Sequence, residues 1–351
     1  MQLEAFLKST ALEVNAQLES FFPRGLTDGW IAANLGKPKF VVDLGASQKS
    51  MVEPIWEFLS RGGKRWRPAL MILATEAVGG RKKDALPFTV MPELAHNGSI
   101  IIDDVEDRST LRRGKPCTHI IYGTDIAINA GTALYLIPLA KLFANSRVPA
   151  AKKAQMYDNY AVELLRLSFG QALDIHWHHG NGVPTEDQYL QMCYYKTGTL
   201  ARLAVSLGAI LGGASKSQLD ALGEFAGSIG VAFQIQDDIL NILPQNDLWG
   251  KELGDDINEG KRTLLVIHAL KTLSPEKASR LMEILDAKQN SKSEVSEAIS
   301  LLLECGSVEY ARKVAKDLVM KSWKKLDPKL KDSRAKAMLK EFADYLIERK
   351  I

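Results

Sequence analysis

Apolar residues recur every three to four positions along most of the chain, the period of a helix with one face on a core. "VEPIWEFLSR" (52–61), "AQMYDNYAVELLRLSFGQALDI" (154–175), "SQLDALGEFAGSIGVAFQIQDDIL" (217–240) and "SVEYARKVAKDLVMKSW" (307–323) carry the period clearly. Gly-, Pro- and Ser-rich breaks such as "SRGGKRWRP", "HGNGVPTED" and "LSPEK" separate roughly ten to thirteen such helices. "PTEDQ" and "SPEKA" read as helix starts, with Pro and acids in the first turn. Strand signals are scarce, and the clearest is the short "KFVVDL" from Lys39 to Leu44. No linker or composition shift divides the chain. The pattern predicts one all-α domain over residues 1–351.

Composition changes this picture little. The chain is 46% hydrophobic and 25% charged with a net charge of +3, which fits a globular protein and gives no reason to expect nucleic acid. Cys117, Cys193 and Cys305 are scattered without CxxC spacing, which points to a reducing, cytoplasmic setting and no zinc site. The first residues lack the basic start and apolar core of a signal peptide. The stretch from Ile126 to Ala144 is about long enough to span a bilayer. Asn129, Thr132, Pro138 and Lys141 interrupt it, so it is expected to be a buried core helix and not a transmembrane segment.

Two acidic devices stand out. "IIIDDVED" and "FQIQDDILN" each end an apolar helical run in Asp-Asp-x-x-Asp or Asp-Asp-x-x-Asn. Residues four apart share a helix face, so Asp103 projects with Asp107, and Asp237 with Asn241. Carboxylates so placed repel unless a cation lies between them. Oxygen donors without His or Cys favour Mg²⁺, which fills its shell with water and phosphate oxygens. The bland alternative is a solvated acidic cap, harder to sustain for two motifs that both follow apolar runs.

Basic residues lie close by in sequence. Arg112 and Arg113 follow the first acid run. "GGKRWRP" offers Lys64 and Arg67, "YYKTG" offers Lys196 beside Thr197, and "GKELGDDINEGKR" offers Lys251 and Lys261. Bases beside glycines suit diphosphate as well as they suit a solvated surface. There is no Walker loop, no dinucleotide fingerprint and no GxSxG or HExxH nucleophile or zinc motif. His176, His178 and His179 read as exposed caps at a helix end.

In these motifs the sequence resembles the trans-isoprenyl diphosphate synthases, the polyprenyl synthetases. The resemblance runs from about Arg61 to Leu265 through "GGKRWRP", "ELAHNGSIIIDDVEDRSTLRRGKP", "GQALDI", "YYKTGTL", "FQIQDDILN" and "GKELGDDINEGKRTL", in the family's order. It implies the all-α isoprenoid synthase type I fold, a helical bundle around a central cavity. It implies a Mg²⁺-dependent prenyltransferase acting on isopentenyl diphosphate and an allylic prenyl diphosphate. Asp103, Asp107 and Asp237 would hold Mg²⁺, with Asp104 supporting. Arg112, Lys196, Lys251 and Lys261 would bind the allylic diphosphate, and Thr197 and Gln234 would lie near the developing cation. Lys64, Arg67, His96 and Arg113 would bind isopentenyl diphosphate. Many members end the second motif in Asp, so Asn241 departs from the pattern. A homodimer is expected by the same resemblance.

The resemblance also bears on product length. Gly98 and Ser99, five and four residues before Asp103, are small where short-product members carry bulky aromatics. They are expected to leave the pocket open for a C20 geranylgeranyl product, with a floor set by Leu134 or Tyr135. Farnesyl and longer-chain synthases, and a regulatory subunit, are the other readings within the family.

Overall fold

Helix boundaries follow the sequence's own punctuation. Thr185 caps the helix Glu186–Lys196 through a reciprocal capping box with Gln188. Pro275 occupies the first turn of Pro275–Ala287, where its missing N–H costs nothing. The long periodic runs form Ala150–His178, Lys216–Ile242 and Ser307–Leu326. The computed structural model describes residues 2–143, 145–243, 253–287 and 290–347. Among these, the secondary structure is almost wholly helical, as the periodicity predicts. "KFVVDL" forms no strand. Phe40 and Val41 are exposed, and the chain there leads into a helical turn capped by Asp43.

Two compact units emerge. One comprises Met1–Tyr160, Leu203–Leu219 and Ser333–Met338; the other comprises Ala161–Arg202, Asp220–Asp332 and Leu339–Ile351. Long helices such as Ala150–His178 contribute residues to both, so no linker marks the division in sequence.

In the first unit, the helix Val90–Glu106 packs most extensively against Thr124–Leu136. Glycines set the approach. A Cβ on Gly98 would lie 2.7 Å from the Gly131 carbonyl oxygen and 2.8 Å from Leu134 Cβ. Gly98 is therefore small because a neighbouring backbone occupies its space, which corrects the expectation that it lines an open pocket. Leu134 fills the same contact. Gly98→Ala is expected to lower the unfolding free energy by about 1–3 kcal/mol through overpacking, as read by urea unfolding.

The apolar stretch from Ile126 is not buried all round as expected. Pro138 converts the helix into a 3₁₀ turn at Ile137–Leu139, followed by Ala140–Phe143. By length and composition alone, Thr124–Phe143 could cross a membrane. Ala127, Ala130 and Leu134 are buried, whereas Ile128, Leu136 and Phe143 are exposed. One side packs within the unit and the other carries bare apolar surface.

In the second unit, glycine again permits close contact. A Cβ on Gly170 would fall 2.3 Å from the Lys196 amide nitrogen, and one on Gly230 would fall 2.3 Å from Gly198 Cα. Glu163 and Arg202, both about 3% exposed, form a buried ion pair at 2.6 Å, supported by Thr199. All three cysteines are free.

Candidate active site

The turn before Trp66–Ala77 concentrates positive charge. Gly62 and Gly63 take positive φ, and Arg65 follows at φ 48. A left-handed non-glycine residue costs about 1–2 kcal/mol, and here the surroundings hold it. Arg65 is buried against Glu93 at 2.5 Å and also donates to the Leu59 carbonyl. Arg67 is buried too, with Nη1 3.0 Å from His96 Nε2. Arginine only donates, so His96 Nε2 accepts and the ring proton sits on Nδ1. Arg113 donates to the Gly62 carbonyl at 2.5 Å and lies over the Phe58 ring. Glu93 is the buried carboxylate that faces these cations, and Asn97 donates to it at 2.8 Å. Lys64 is exposed at the edge of the group.

Electrostatics follow from this excess of cations. Burial pushes the Arg67 guanidinium down to about 9, with Arg113 lowering it further and Glu93 opposing. Burial and the charges of Arg67 and Arg113 hold His96 well below its ordinary value, so it is neutral near pH 7. Arg67 Nε is buried without a hydrogen-bond partner among the described residues. The group is built to receive an anion. The sign of the pH effect is fixed by the lowered folded value. Below about pH 6.5 the unfolded chain protonates His96 and the folded chain does not. Stability is therefore lost as pH falls, by up to about 1.4 kcal/mol per pH unit from this residue. Urea unfolding of His96→Gln between pH 7.5 and 5 is expected to show a correspondingly shallower decline.

The acid pair lies at the far end of the same helix. Asp103 and Asp107 are half-buried, one turn apart. Arg108, at φ 55, ends the helix: its amide bonds the Val105 carbonyl and the Ser109 amide bonds the Asp104 carbonyl. This is a Schellman closure with arginine in glycine's usual place. The chain then forms a minimal hairpin, Leu111–Arg112 against Lys115–Pro116. Arg113 and Gly114 both take positive φ, as a type I′ turn demands. The helical reading of the sequence missed this hairpin. It aims Arg112 back at Asp104, with Nε and Nη2 2.8 and 2.5 Å from one carboxylate oxygen. Asp104 is buried and its charge is balanced by this pairing, leaving Asp103 and Asp107 as half-buried acids one turn apart, with Glu106 exposed between them. Ser99 Oγ donates to the His96 carbonyl, and burial with Glu106 and Asp103 nearby pushes the Tyr135 hydroxyl up.

The second unit holds a pocket of about 420 Å³, its open mouth included, lined by Asp174, Trp177, Lys196, Gln234, Asp238 and Lys261 among others. Lys196 pairs with Asp174 at 2.6 Å. Lys261 pairs with Asp256 at 3.1 Å and with Glu259 at 2.5 Å. Thr197 Oγ1 lies 2.8 Å from Gln234 Oε1. Asp237 is half-buried, and Asp238 beside it is buried. Burial pushes the Asp238 carboxyl up, with Asp256 adding to it. Lys251 lies outside the described residues.

Asn241 behaves unlike its counterpart Asp107. It is 2% exposed, and its Oδ1 accepts from the Asp256 amide at 3.2 Å. Its carbonyl oxygen is committed to the turn that carries Asp256. The histidine run also departs from expectation. His176 and His179 are exposed, but His178 is buried, with its ring 4.6 Å from that of His179. The sequence reading gave no role to Asp174, Tyr189 or Asp238. The signal for Asp174 was available: it stands four residues after Gly170, on the face where the Lys196 backbone comes close.

Among the described residues, no three His, Cys, Asp or Glu side chains cluster closely enough to hold a metal ion. Asp103 and Asp107 in the first unit, and separately Asp237 in the second, offer half-buried, oxygen-only donors. That chemistry fits a hard cation that keeps water and phosphate oxygens as most of its ligands.

A family model described as polyprenyl synthetase matches residues 48–302. The chain belongs to the polyprenyl synthetase family. As a polyprenyl synthetase it is a trans-prenyltransferase with the all-α isoprenoid synthase fold, and the family generally uses a divalent metal. The geranylgeranyl diphosphate synthase of Methanosarcina mazei is 38% identical over 290 residues, 82% of this chain and 86% of that protein. The geranylfarnesyl diphosphate synthase of Natronomonas pharaonis is 34% identical over 307 residues, 83% and 87% of the two chains. The solved geranylgeranyl pyrophosphate synthetase of Pyrococcus horikoshii is similar with a TM-score of 0.86 at 31% identity, covering 99% of each chain.

Proposed function

We propose that this polyprenyl synthetase joins isopentenyl diphosphate head-to-tail to an allylic diphosphate and releases chiefly the C20 product, geranylgeranyl diphosphate. The observation that carries the reading is the division of charge along Val90–Glu106. Glu93 and His96 sit among buried arginines at one end, and Asp103 and Asp107 are paired at the other.

Arg67, His96 and Arg113, with Lys64 at the rim, bind the diphosphate of isopentenyl diphosphate. His96 is neutral and takes its bond from Arg67, so it holds that guanidinium while the arginines supply charge. Arg112, Lys196, Lys251 and Lys261 bind the allylic diphosphate. Asp104, Asp174 and Asp256 orient Arg112, Lys196 and Lys261 beforehand. Asp103, Asp107 and Asp237 would hold Mg²⁺, which when bound neutralises charge on the departing diphosphate. The allylic C–O bond breaks and its electron pair leaves with diphosphate. The double bond of isopentenyl diphosphate then attacks the allylic carbon, and a proton is lost to the released diphosphate. Thr197 and Gln234 lie beside the positive carbon. No protein nucleophile takes part, which agrees with the absence of a nucleophile motif.

Ser99 keeps the chain-length role, and Tyr135 stays as the candidate floor. The exposed apolar Ile128 and Leu136 support a homodimer, and the free cysteines support a cytoplasmic setting. We take residues 1–351 to act as one synthase domain. The test is chromatography of products formed from dimethylallyl, geranyl and farnesyl diphosphates in turn. C20 should dominate with each starter. A dominant C15 or C25 product would refute the chain-length assignment.

A further inference from the structure

The hydrogen bond between Thr197 and Gln234 has a direction that is decided elsewhere. Gln234 Nε2 lies 2.9 Å from Asp238 Oδ1, and Tyr189 Oη donates to Asp238 Oδ2 at 2.5 Å. Tyr189 is 2% exposed and Asp238 4%. Tyr189 and Gln234 both favour the ionised form of Asp238 against its burial, and an ionised carboxylate only accepts, so the side of the Gln234 amide that faces Asp238 is its NH₂. Its carbonyl oxygen is then the side that faces Thr197, at 2.8 Å. A threonine hydroxyl carries one proton, and here that proton is given to Gln234. Thr197 Oγ1 keeps its lone pairs, on the residue that follows Lys196 in the chain. Two donors hold the carboxylate in place, and the amide passes on its polarity.

We infer that Asp238 is a positioning residue for prenyl transfer: acting through Gln234, it turns the oxygen of Thr197, and not its proton, toward the allylic cation. The inference rests on the prenyl-transfer reading above. An oxygen lone pair beside a positive carbon lowers its energy, whereas an O–H proton in that place raises it. Asparagine at 238 accepts from Tyr189 on one side and offers NH₂ on the other. The Gln234 amide then inverts, its NH₂ faces Thr197, and the Thr197 proton turns outward.

The test is a set of crossed substitutions assayed with saturating diphosphates and Mg²⁺. In the otherwise unaltered chain, Thr197→Val is expected to lower kcat by about 10²-fold. In Asp238→Asn the same change is expected to raise kcat, because it removes a hydroxyl turned the wrong way. In Gln234→Met, where the relay is cut, it is expected to change kcat by less than about threefold. KM values should move little, because the effect arises in the transition state. A purely structural role for Asp238 gives equal Thr197→Val losses in all three backgrounds. That result overturns the inference while the prenyl-transfer reading stands. The Gln234→Met comparison decides the matter alone if Asp238→Asn does not fold. An unaltered chain that forms no prenyl product overturns both readings.

Discussion

Asp103→Asn is expected to lower kcat by about 10³-fold, the loss that follows removal of a principal electrostatic group at developing charge. KM for isopentenyl diphosphate should change much less, since Arg67, His96 and Arg113 lie at the other end of the helix. Asp103 and Asp107 occupy the last turn of Val90–Glu106 and its cap. A helix C-terminus carries partial negative charge, so carboxylates there are unfavourable by about 0.3–1 kcal/mol each. Asp104 is paired with Arg112, whose charge also acts on Asp103 and offsets part of its cost there. Asp103 and Asp107 share a face one turn apart and repel each other as well. A sequence that keeps them there trades stability for cation binding. The same substitution should therefore raise the unfolding free energy by about 0.5–1 kcal/mol in chelator-treated buffer. Steady-state kinetics and urea unfolding of one variant check both halves. Loss of activity together with loss of stability would contradict the account.

Glu93→Gln is expected to be the most damaging change to the fold, at about 3–5 kcal/mol. Glu93 and Arg65 are each about 3% exposed and 2.5 Å apart. Removing the carboxylate leaves Arg65 as an uncompensated buried charge, with Arg67 and Arg113 close enough to feel Glu93 now. The double variant Arg65→Met/Glu93→Leu removes both charges and should recover most of the loss, because a buried pair is often replaceable by apolar side chains of similar volume. Added inorganic diphosphate should stabilise the unaltered chain, since it supplies the missing anion. Urea unfolding of the single and double variants measures the contrast. A double variant no more stable than Glu93→Gln would show that the pair is not an isolated charge problem.

Much of the fold could be read in advance because helical periodicity is a local signal. The runs around 154–175, 217–240 and 307–323 appear as helices within a few residues of their sequence limits. Asp103 and Asp107 could be read for the same reason, since a four-residue spacing is a statement about one helix face. What escaped depends on contacts between distant residues. Gly98 looked like open space because small side chains suit both a pocket and a close helix contact. The Gly131 carbonyl, 33 positions away in sequence, decides for contact. Asn241 resembled half an acid pair, yet the Asp256 amide claims its oxygen. Arg65, Arg108 and Arg113 adopt left-handed φ, which residue type alone assigns to glycine or asparagine. Each is held by a turn beside the candidate site, where backbone strain is often found. Asp238 was hidden by its neighbour: the second motif drew attention to Asp237, whereas Asp238 is the buried residue with two donors.

The central claim is metal-dependent prenyl transfer, and it reduces to one measurement. The chain is incubated with labelled isopentenyl diphosphate and farnesyl diphosphate, with Mg²⁺ or with excess chelator, and both prenyl product and released diphosphate are counted. The account predicts one diphosphate released per isopentenyl unit incorporated into a C20 product with Mg²⁺, and neither with chelator. Incorporation that proceeds equally in chelator, or no incorporation with Mg²⁺ present, would contradict it.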